Sequence, residues 1–306
     1  MVMGKNQGRN RMYEIRTRQI EANGLTFTID ECGEGDNIAL CLHGFPESRY
    51  SWREQLPLLA AKGWRVVAPD LRGYGGTTRP KAKKDYELPN LIADTAALYD
   101  ALGAKRRLLV AHDWGAIIAW TFAIEKTRPL DGLVIMNVPH PAVFITGLQN
   151  GWEQRKKSWY ALFFQLPILP ELMMTAKGAK AIGQAFVGMA IDKSRFPKDV
   201  LDHYQQNALQ PGAMTAMINY YRANTKSLTA YGPGLAAKIE VPTVMIWGEE
   251  DAALSISLTE GYGPYVNDFT LHRLPNVSHW VQQEAPEKVN EHLSDWLKTK
   301  GLNLAG

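Results

Sequence analysis

Apolar and polar positions along this chain fall into two rhythms, with a third texture between them. Residues 16–22 and 25–31 alternate in character around Asn23-Gly24, a dipeptide favoured in two-residue hairpins because both turn positions need positive φ. Short apolar runs follow at 38–42, 64–68, 107–111 and 133–137. Runs of that length predict strands buried on both faces. Between them, apolar residues recur at helical spacing over 51–62, 88–102 and 116–126, the first two ending at Gly63 and Gly103, where glycine is a helix stop. Strands alternating with helices predict a mostly parallel sheet covered on both faces.

The alternation stops after Pro139. From 141 to 229 the chain reads as irregular helices rich in Trp, Phe, Tyr and Met, and its most apolar stretch, 160–174, is broken by Pro167 and Pro170. Strand rhythm returns over 243–247 and 269–274, and a last helix is predicted over 286–297. The pattern predicts an α/β fold whose sheet domain, 13–140 and 230–306, is interrupted by a helical insertion, 141–229. Residues 1–12 are polar and basic, and are expected to be disordered.

Composition narrows the partners. With 34 basic and 31 acidic residues the formal net charge is +3, which gives no reason to expect a nucleic-acid surface. Only Cys32 and Cys41 are present, too few for a disulfide framework, so a reducing compartment fits. The N-terminus has no apolar core of a signal peptide, and no stretch approaches the ~20 apolar residues of a membrane span. The expectation is a cytoplasmic protein without membrane insertion, a monomer or homodimer.

The chemistry concentrates at strand ends. In Val110-Ala111-His112-Asp113-Trp114-Gly115-Ala116, small residues flank Asp113 at the spacing of a nucleophile elbow, the tight turn that presents a reactive side chain between a strand and a helix. An isolated Asp there is most often a loop residue or helix cap; the rest of the chain shifts the weight. His43-Gly44-Phe45-Pro46 follows the first buried strand, where this architecture takes one oxyanion donor, so the amides of Phe45 and Trp114 are the predicted pair. Glu249, Glu250 and Asp251 follow a late strand and His279 follows the last one. The order nucleophile, acid, histidine is that of the fold; Asp251 is the expected acid, with Glu249 and Glu250 near enough to compete. An aspartate narrows the reaction. A serine that attacked a saturated carbon would form an inert ether, whereas a carboxylate forms an ester that water can cleave. Displacement at an sp³ carbon follows, with an epoxide oxygen or a halide leaving.

Three segments resemble the soluble epoxide hydrolases: His43-Gly44-Phe45-Pro46-Glu47-Ser48 with Ser51-Trp52-Arg53, Asp70-Leu71-Arg72-Gly73-Tyr74-Gly75, and His112-Asp113-Trp114-Gly115. The resemblance runs from about Arg16 to the end and departs at Ala111, where the family usually has Gly. It implies an α/β-hydrolase fold with an inserted helical cap, no cofactor and no metal. It also implies two cap tyrosines that hold the epoxide oxygen, matched here by Tyr160 and Tyr221. His43, Phe45, Trp114 and Phe164 are expected at a small apolar epoxide substrate. The alternative is a dehalogenase with the same Asp113, His279 and Asp251. Haloalkane dehalogenases commonly carry Asn where this chain has Phe45, and fluoroacetate dehalogenases carry Arg where it has Trp114, which weakens that reading. A non-catalytic receptor for hydrophobic ligands, the remaining alternative, would be expected to lack part of the set.

Overall fold

The computed structural model describes residues 13–230 and 237–305. The N-terminal segment predicted to be disordered and the start of the second sheet segment lie outside them in part or whole. The hairpin forms as its turn requires. β1 (Arg16–Ala22) and β2 (Leu25–Cys32) pair antiparallel with Ala22 opposite Leu25, and Asn23 and Gly24 both have positive φ, 49° and 70°. The buried runs become β3 (Asn37–Leu42), β4 (Arg65–Pro69), β5 (Arg106–His112), β6 (Gly132–Met136), β7 (Thr243–Gly248) and β8 (Phe269–Leu274). All eight join one sheet in the order β1-β2-β4-β3-β5-β6-β7-β8, parallel from β4 to β8 and antiparallel where β2 meets its neighbours.

Helices α1 (Gln55–Ala61), α2 (Leu88–Ala101) and α3 (Trp114–Ile124) alternate with the strands. Between β6 and β7 come α4 (Pro141–Asn150), α5 (Trp152–Lys157), α6 (Trp159–Phe163), α7 (Leu169–Met189), α8 (Lys198–Leu209) and α9 (Ala213–Ala230). α10 (Val281–Glu284) and α11 (Pro286–Thr299) close the chain. Two predicted boundaries move for local reasons. The helix expected from 51 starts at Gln55, because Ser48 Oγ accepts from Tyr50 N and caps a separate 3₁₀ turn, Arg49–Trp52. The helix expected from 116 starts at Trp114, because the chain reverses in the single residue Asp113.

The strands sort their side chains with period two. Leu40, Leu109, Ile135 and Met245 face one core with α2 and α3; Ala39, Val110, Val134 and Val244 face another with α1 and α11. The first core also takes in Phe186, Tyr204 and Met217 of the inserted helices. The insertion therefore packs on the face and edge where the strands end. Among the described residues, no helix is long and apolar enough to cross a membrane.

Candidate active site

β5 delivers the chain to Asp113, which sits at φ 48°, ψ −122°. A non-glycine residue at positive φ costs roughly 1–3 kcal/mol and persists only where its surroundings hold it. Here Ala116 N and Ile117 N donate to Asp113 O at 2.9 and 3.1 Å, and Gly115 N donates to His43 O at 3.0 Å. Space explains the small residues. A Cβ on Gly115 would lie 2.2 Å from Leu42 O, and one on Gly44 would lie 2.2 Å from Asp113 Cβ. Ala111, where the resembled family has glycine, is fully buried and the turn accommodates its methyl.

Asp113 Oδ1 accepts from Phe45 N at 2.7 Å. Its other oxygen, Oδ2, lies 3.7 Å from His279 Nε2, too long for a direct hydrogen bond. His279 Nδ1 meets Asp251 Oδ2 at 2.7 Å and must carry the proton that a carboxylate accepts. Asp251 is held in turn. Its Oδ1 accepts from Ala253 N and Leu254 N at 2.7 and 2.9 Å, and its Oδ2 from Asn137 Nδ2 at 2.8 Å. The competing carboxylates, Glu249 and Glu250, are exposed while Asp251 is buried. The loops bearing Asp251 and His279 pack closely, since a Cβ on Gly248 would lie 2.2 Å from Ser278 O.

These groups set one another's charge. Burial pulls the His279 pKa down, but the charge of Asp251, with the Asp113 and Asp251 carboxylates as partners, outweighs it and lifts the value to about 10. Burial pushes Asp113 and Asp251 up; the His279 charge, helped for Asp113 by His112 and the Phe45 amide and for Asp251 by Asn137, leaves both below the usual range. All three shifts act in the same direction, favouring an imidazolium between two carboxylates.

Beneath it lies a buried layer that sequence reading missed. His112 Nδ1 meets Glu47 Oε2 at 2.8 Å and its Nε2 meets His279 O at 2.9 Å. Both partners are acceptors, so both ring nitrogens donate. Glu47 also takes Gly44 N at 3.1 Å and the Gln282 and Gln283 amides at 2.8 Å each. Asn137 was missed too, being read as the end of a strand. At φ 47° it has left β6, and its Oδ1 accepts from Gly248 N at 2.8 Å. An Asn followed by Val-Pro where a strand stops was the available signal, since Asn tolerates positive φ.

Opposite Asp113, Tyr160 in α6 and Tyr221 in α9 bring their rings to 6.0 Å at 84°. Tyr221 is wedged among rings: edge to face with Trp114 at 5.1 Å and Phe45 at 5.5 Å, and tilted against Phe164 at 4.9 Å. Burial first, then the Asp113 charge, raises both phenol pKa values, so both keep their protons. A cavity of about 460 Å³ joins Asp113, Trp114, Tyr160 and Tyr221 to an apolar wall that includes Ile117, Val138, Phe144 and Leu254. Of the four side chains expected against substrate, Trp114 lines this cavity. Phe45 and Phe164 are buried 5.2 Å apart, edge to face, behind Tyr221. His43 corrects the expectation: its ring is fully buried, its Nδ1 donates to Gly44 O at 2.9 Å and its Nε2 accepts from Leu71 N at 3.0 Å. It ties two backbone loops together and has no nitrogen left for a substrate. Among the described residues, no group of three or more His, Cys, Asp or Glu is placed to hold a metal.

A sheet that delivers Asp113, Asp251 and His279 to one edge in that chain order has the design of an α/β-hydrolase. The family described as alpha/beta hydrolase fold matches residues 39–286. Epoxide hydrolase 3 of Xenopus tropicalis is 36% identical over 286 residues, 92% of this chain and 77% of that protein. Human epoxide hydrolase 4 is 37% identical over 286 residues, 92% of this chain and 78% of that one. The crystal structure of Bacillus megaterium epoxide hydrolase in complex with an inhibitor superposes with a TM-score of 0.83 at 28% identity, covering 92% of this chain and 100% of that one. The chain belongs to the α/β-hydrolase superfamily and, within it, to the epoxide hydrolase family.

Proposed function

We propose that this protein hydrolyses epoxides to vicinal diols through an ester on Asp113, with residues 141–229 acting as the cap over the site. The observation that carries this reading is the pairing of a carboxylate with two neutral phenols across one apolar cavity. An epoxide oxygen leaves as an alkoxide, a poor leaving group that needs a donor, and a phenol that keeps its proton can supply one. Tyr160 and Tyr221 hold the oxygen. Asp113 Oδ2, free of the Phe45 amide, attacks one ring carbon, the C–O bond breaks, and a phenol protonates the departing alkoxide. The product is a neutral hydroxyalkyl ester.

Forming the ester removes the Asp113 charge, one of the two anions that keep His279 protonated. The imidazolium then gives up its Nε2 proton more readily, and that proton returns the phenolate to a neutral tyrosine, leaving the neutral imidazole that the second step needs as its base. His279, oriented by Asp251, takes a proton from water. The hydroxide attacks the ester carbonyl, and the oxyanion develops on Oδ1, where the Phe45 amide already donates and the Trp114 amide is the second expected donor. Collapse releases the diol and restores Asp113. The apolar wall suits an apolar epoxide.

The test is intact mass after incubation with styrene oxide. His279→Gln should form an adduct of one epoxide and stall there, with turnover down by about 10³–10⁶ as for loss of a triad member. Asp113→Ala should form neither adduct nor diol. A folded His279→Gln protein that stays unmodified would sink the ester intermediate. Halide release from haloalkanes, with no diol from epoxides, would transfer the same machinery to the dehalogenase reading.

A further inference from the structure

The triad acid sits on a loop whose backbone is gripped from the cap. Gln154 of α5 is 2% exposed and presents its amide to this loop as a strand would: Nε2 donates to Ala253 O at 3.1 Å, and Oε1 accepts from Ser255 N at 2.9 Å. The same Nε2 reaches Ser158 Oγ at 3.0 Å, so both of its protons are used. Lys157, three residues on and therefore on the same face of the helix, donates from Nζ to Asp251 O at 2.8 Å and reaches Leu254 O at 3.5 Å. Its charge is shared with Glu153 Oε1 at 3.3 Å. Two side chains thus hold backbone groups of Asp251, Ala253, Leu254 and Ser255. Between those points lie the Ala253 and Leu254 amides that fix Asp251 Oδ1. Ser158 follows at once, and Tyr160 lies in the next helix.

We infer that Gln154 and Lys157 are positioning residues for Asp251: the cap helix α5 holds the 251–255 loop in the conformation that keeps the carboxylate against His279, so the cap that presents Tyr160 also sets the strength and aim of the base in the sheet domain. This rests on Asp113 being the nucleophile and His279 the base. Neither positioning residue touches the reacting atoms. Loosening the loop should spare alkylation, since Asp113 is held by Phe45 and not by Asp251. It should slow hydrolysis of the ester. The charged and titratable groups facing His279 are Asp251, Asp113 and His112, whose ring lies 4.7 Å away. Gln154→Leu changes none of these charges, so any shift in the titration of His279 must come through the geometry of Asp251.

The experiment is single-turnover kinetics on the full-length protein with styrene oxide, resolving ester formation from ester hydrolysis across pH. In Gln154→Leu, hydrolysis is expected to fall about tenfold or more, the scale of one lost buried hydrogen bond, with alkylation within about threefold. An imidazolium with a displaced anion loses its proton more easily, so the acid limb of hydrolysis should move to lower pH. Both rates falling together with an unmoved limb would reduce Gln154 to a packing residue and overturn the inference. Lys157→Met should change the ratio of the two rates in the same direction and Lys157→Arg should restore it; an unchanged ratio also overturns it, including where Gln154→Leu fails to fold. Hydrogen exchange at Ser255 N–H reads the grip without chemistry. It should quicken in the folded variants, and unchanged exchange would refute the grip. A wild-type protein with no ester phase would instead count against Asp113 as nucleophile.

Discussion

The sheet edge and the cap hold their functional groups by different means. At the sheet edge each polar group is pinned by directional bonds: Asp113 by the Phe45 amide, His279 by Asp251, and Asp251 by two backbone amides and Asn137. In the cap, Tyr221 is held mainly by the rings of Trp114, Phe45 and Phe164, with one hydrogen bond from Trp114, and Tyr160 by contacts with Phe164 and Tyr221. Hydrogen bonds fix charge and angle, and suit a step in which charge must be stabilised where it forms. Ring contacts fix position, and because an indole N–H can only donate, the Trp114 bond to the Tyr221 oxygen leaves the phenol its own O–H to give to a substrate oxygen. On the proposed reaction, ester hydrolysis draws on the groups held by directional bonds and substrate activation on the groups packed mainly among rings.

That contrast can be broken at its strongest point by Tyr221→Phe. The ring packing survives and only the donor is lost, so alkylation should slow by roughly 10²–10⁴-fold, the usual worth of a positioned acid, while hydrolysis of a preformed ester is spared. Rapid-quench measurement of the two steps decides, and an unchanged alkylation rate would remove Tyr221 from its role. Asn137→Ala probes the other side. It strips one donor from a buried carboxylate at a cost of about 1–3 kcal/mol, so ester hydrolysis should fall by about ten- to a hundredfold with alkylation nearly unchanged. Equal losses in both steps would mean that the sheet edge does not separate the two.

The smallest effect is a displacement along the pH axis. In the free protein, burial lowers the His279 pKa but the Asp251 and Asp113 carboxylates lift it to about 10. Ester formation neutralises Asp113, so the intermediate's imidazolium should lose its proton at lower pH than that of the free protein. Hydrolysis, which needs the neutral ring, should therefore reach its plateau below the pH at which the free imidazole titrates. Single-turnover pH profiles set against an NMR titration of His279 give the comparison. Coincident values would show that the Asp113 charge is not what raises the pKa.

How far the sequence could be read follows the same division. Asp113, Asp251 and His279 are legible because the sheet delivers them at strand ends, and strand ends show in the apolar rhythm. Tyr160 and Tyr221 have no such marker; on periodicity alone they are two aromatic residues among many, and only the family resemblance singled them out. His43 misled because a motif position does not reveal which way a ring points. Both its nitrogens go to backbone that the sequence brings together only in three dimensions. Glu47, Asn137 and Gln154 escaped for that reason too. Their partners lie 65, 114 and 99 to 101 residues away, and no spacing rule spans such distances. Position favours Asp251 over Glu249 and Glu250 by little, and burial together with the bond to His279 separates them.

β6 and β7 are hydrogen-bonded neighbours, Leu133 opposite Thr243 through Met136 opposite Ile246, although all the cap helices intervene between them. To the sheet, then, the entire cap is one connection between adjacent strands. The entropy of closing such a connection rises slowly, by about 0.6 kcal/mol for each doubling of its length. A connection of this kind can be lengthened, shortened or replaced by a protein engineer with little entropic penalty to the edge that carries Asp113, Asp251 and His279. What such an exchange must carry across is a small patch: an amide and an ammonium set three residues apart, in reach of the 251–255 loop. A transplanted cap without them would bring a new pocket to a base that had lost its aim.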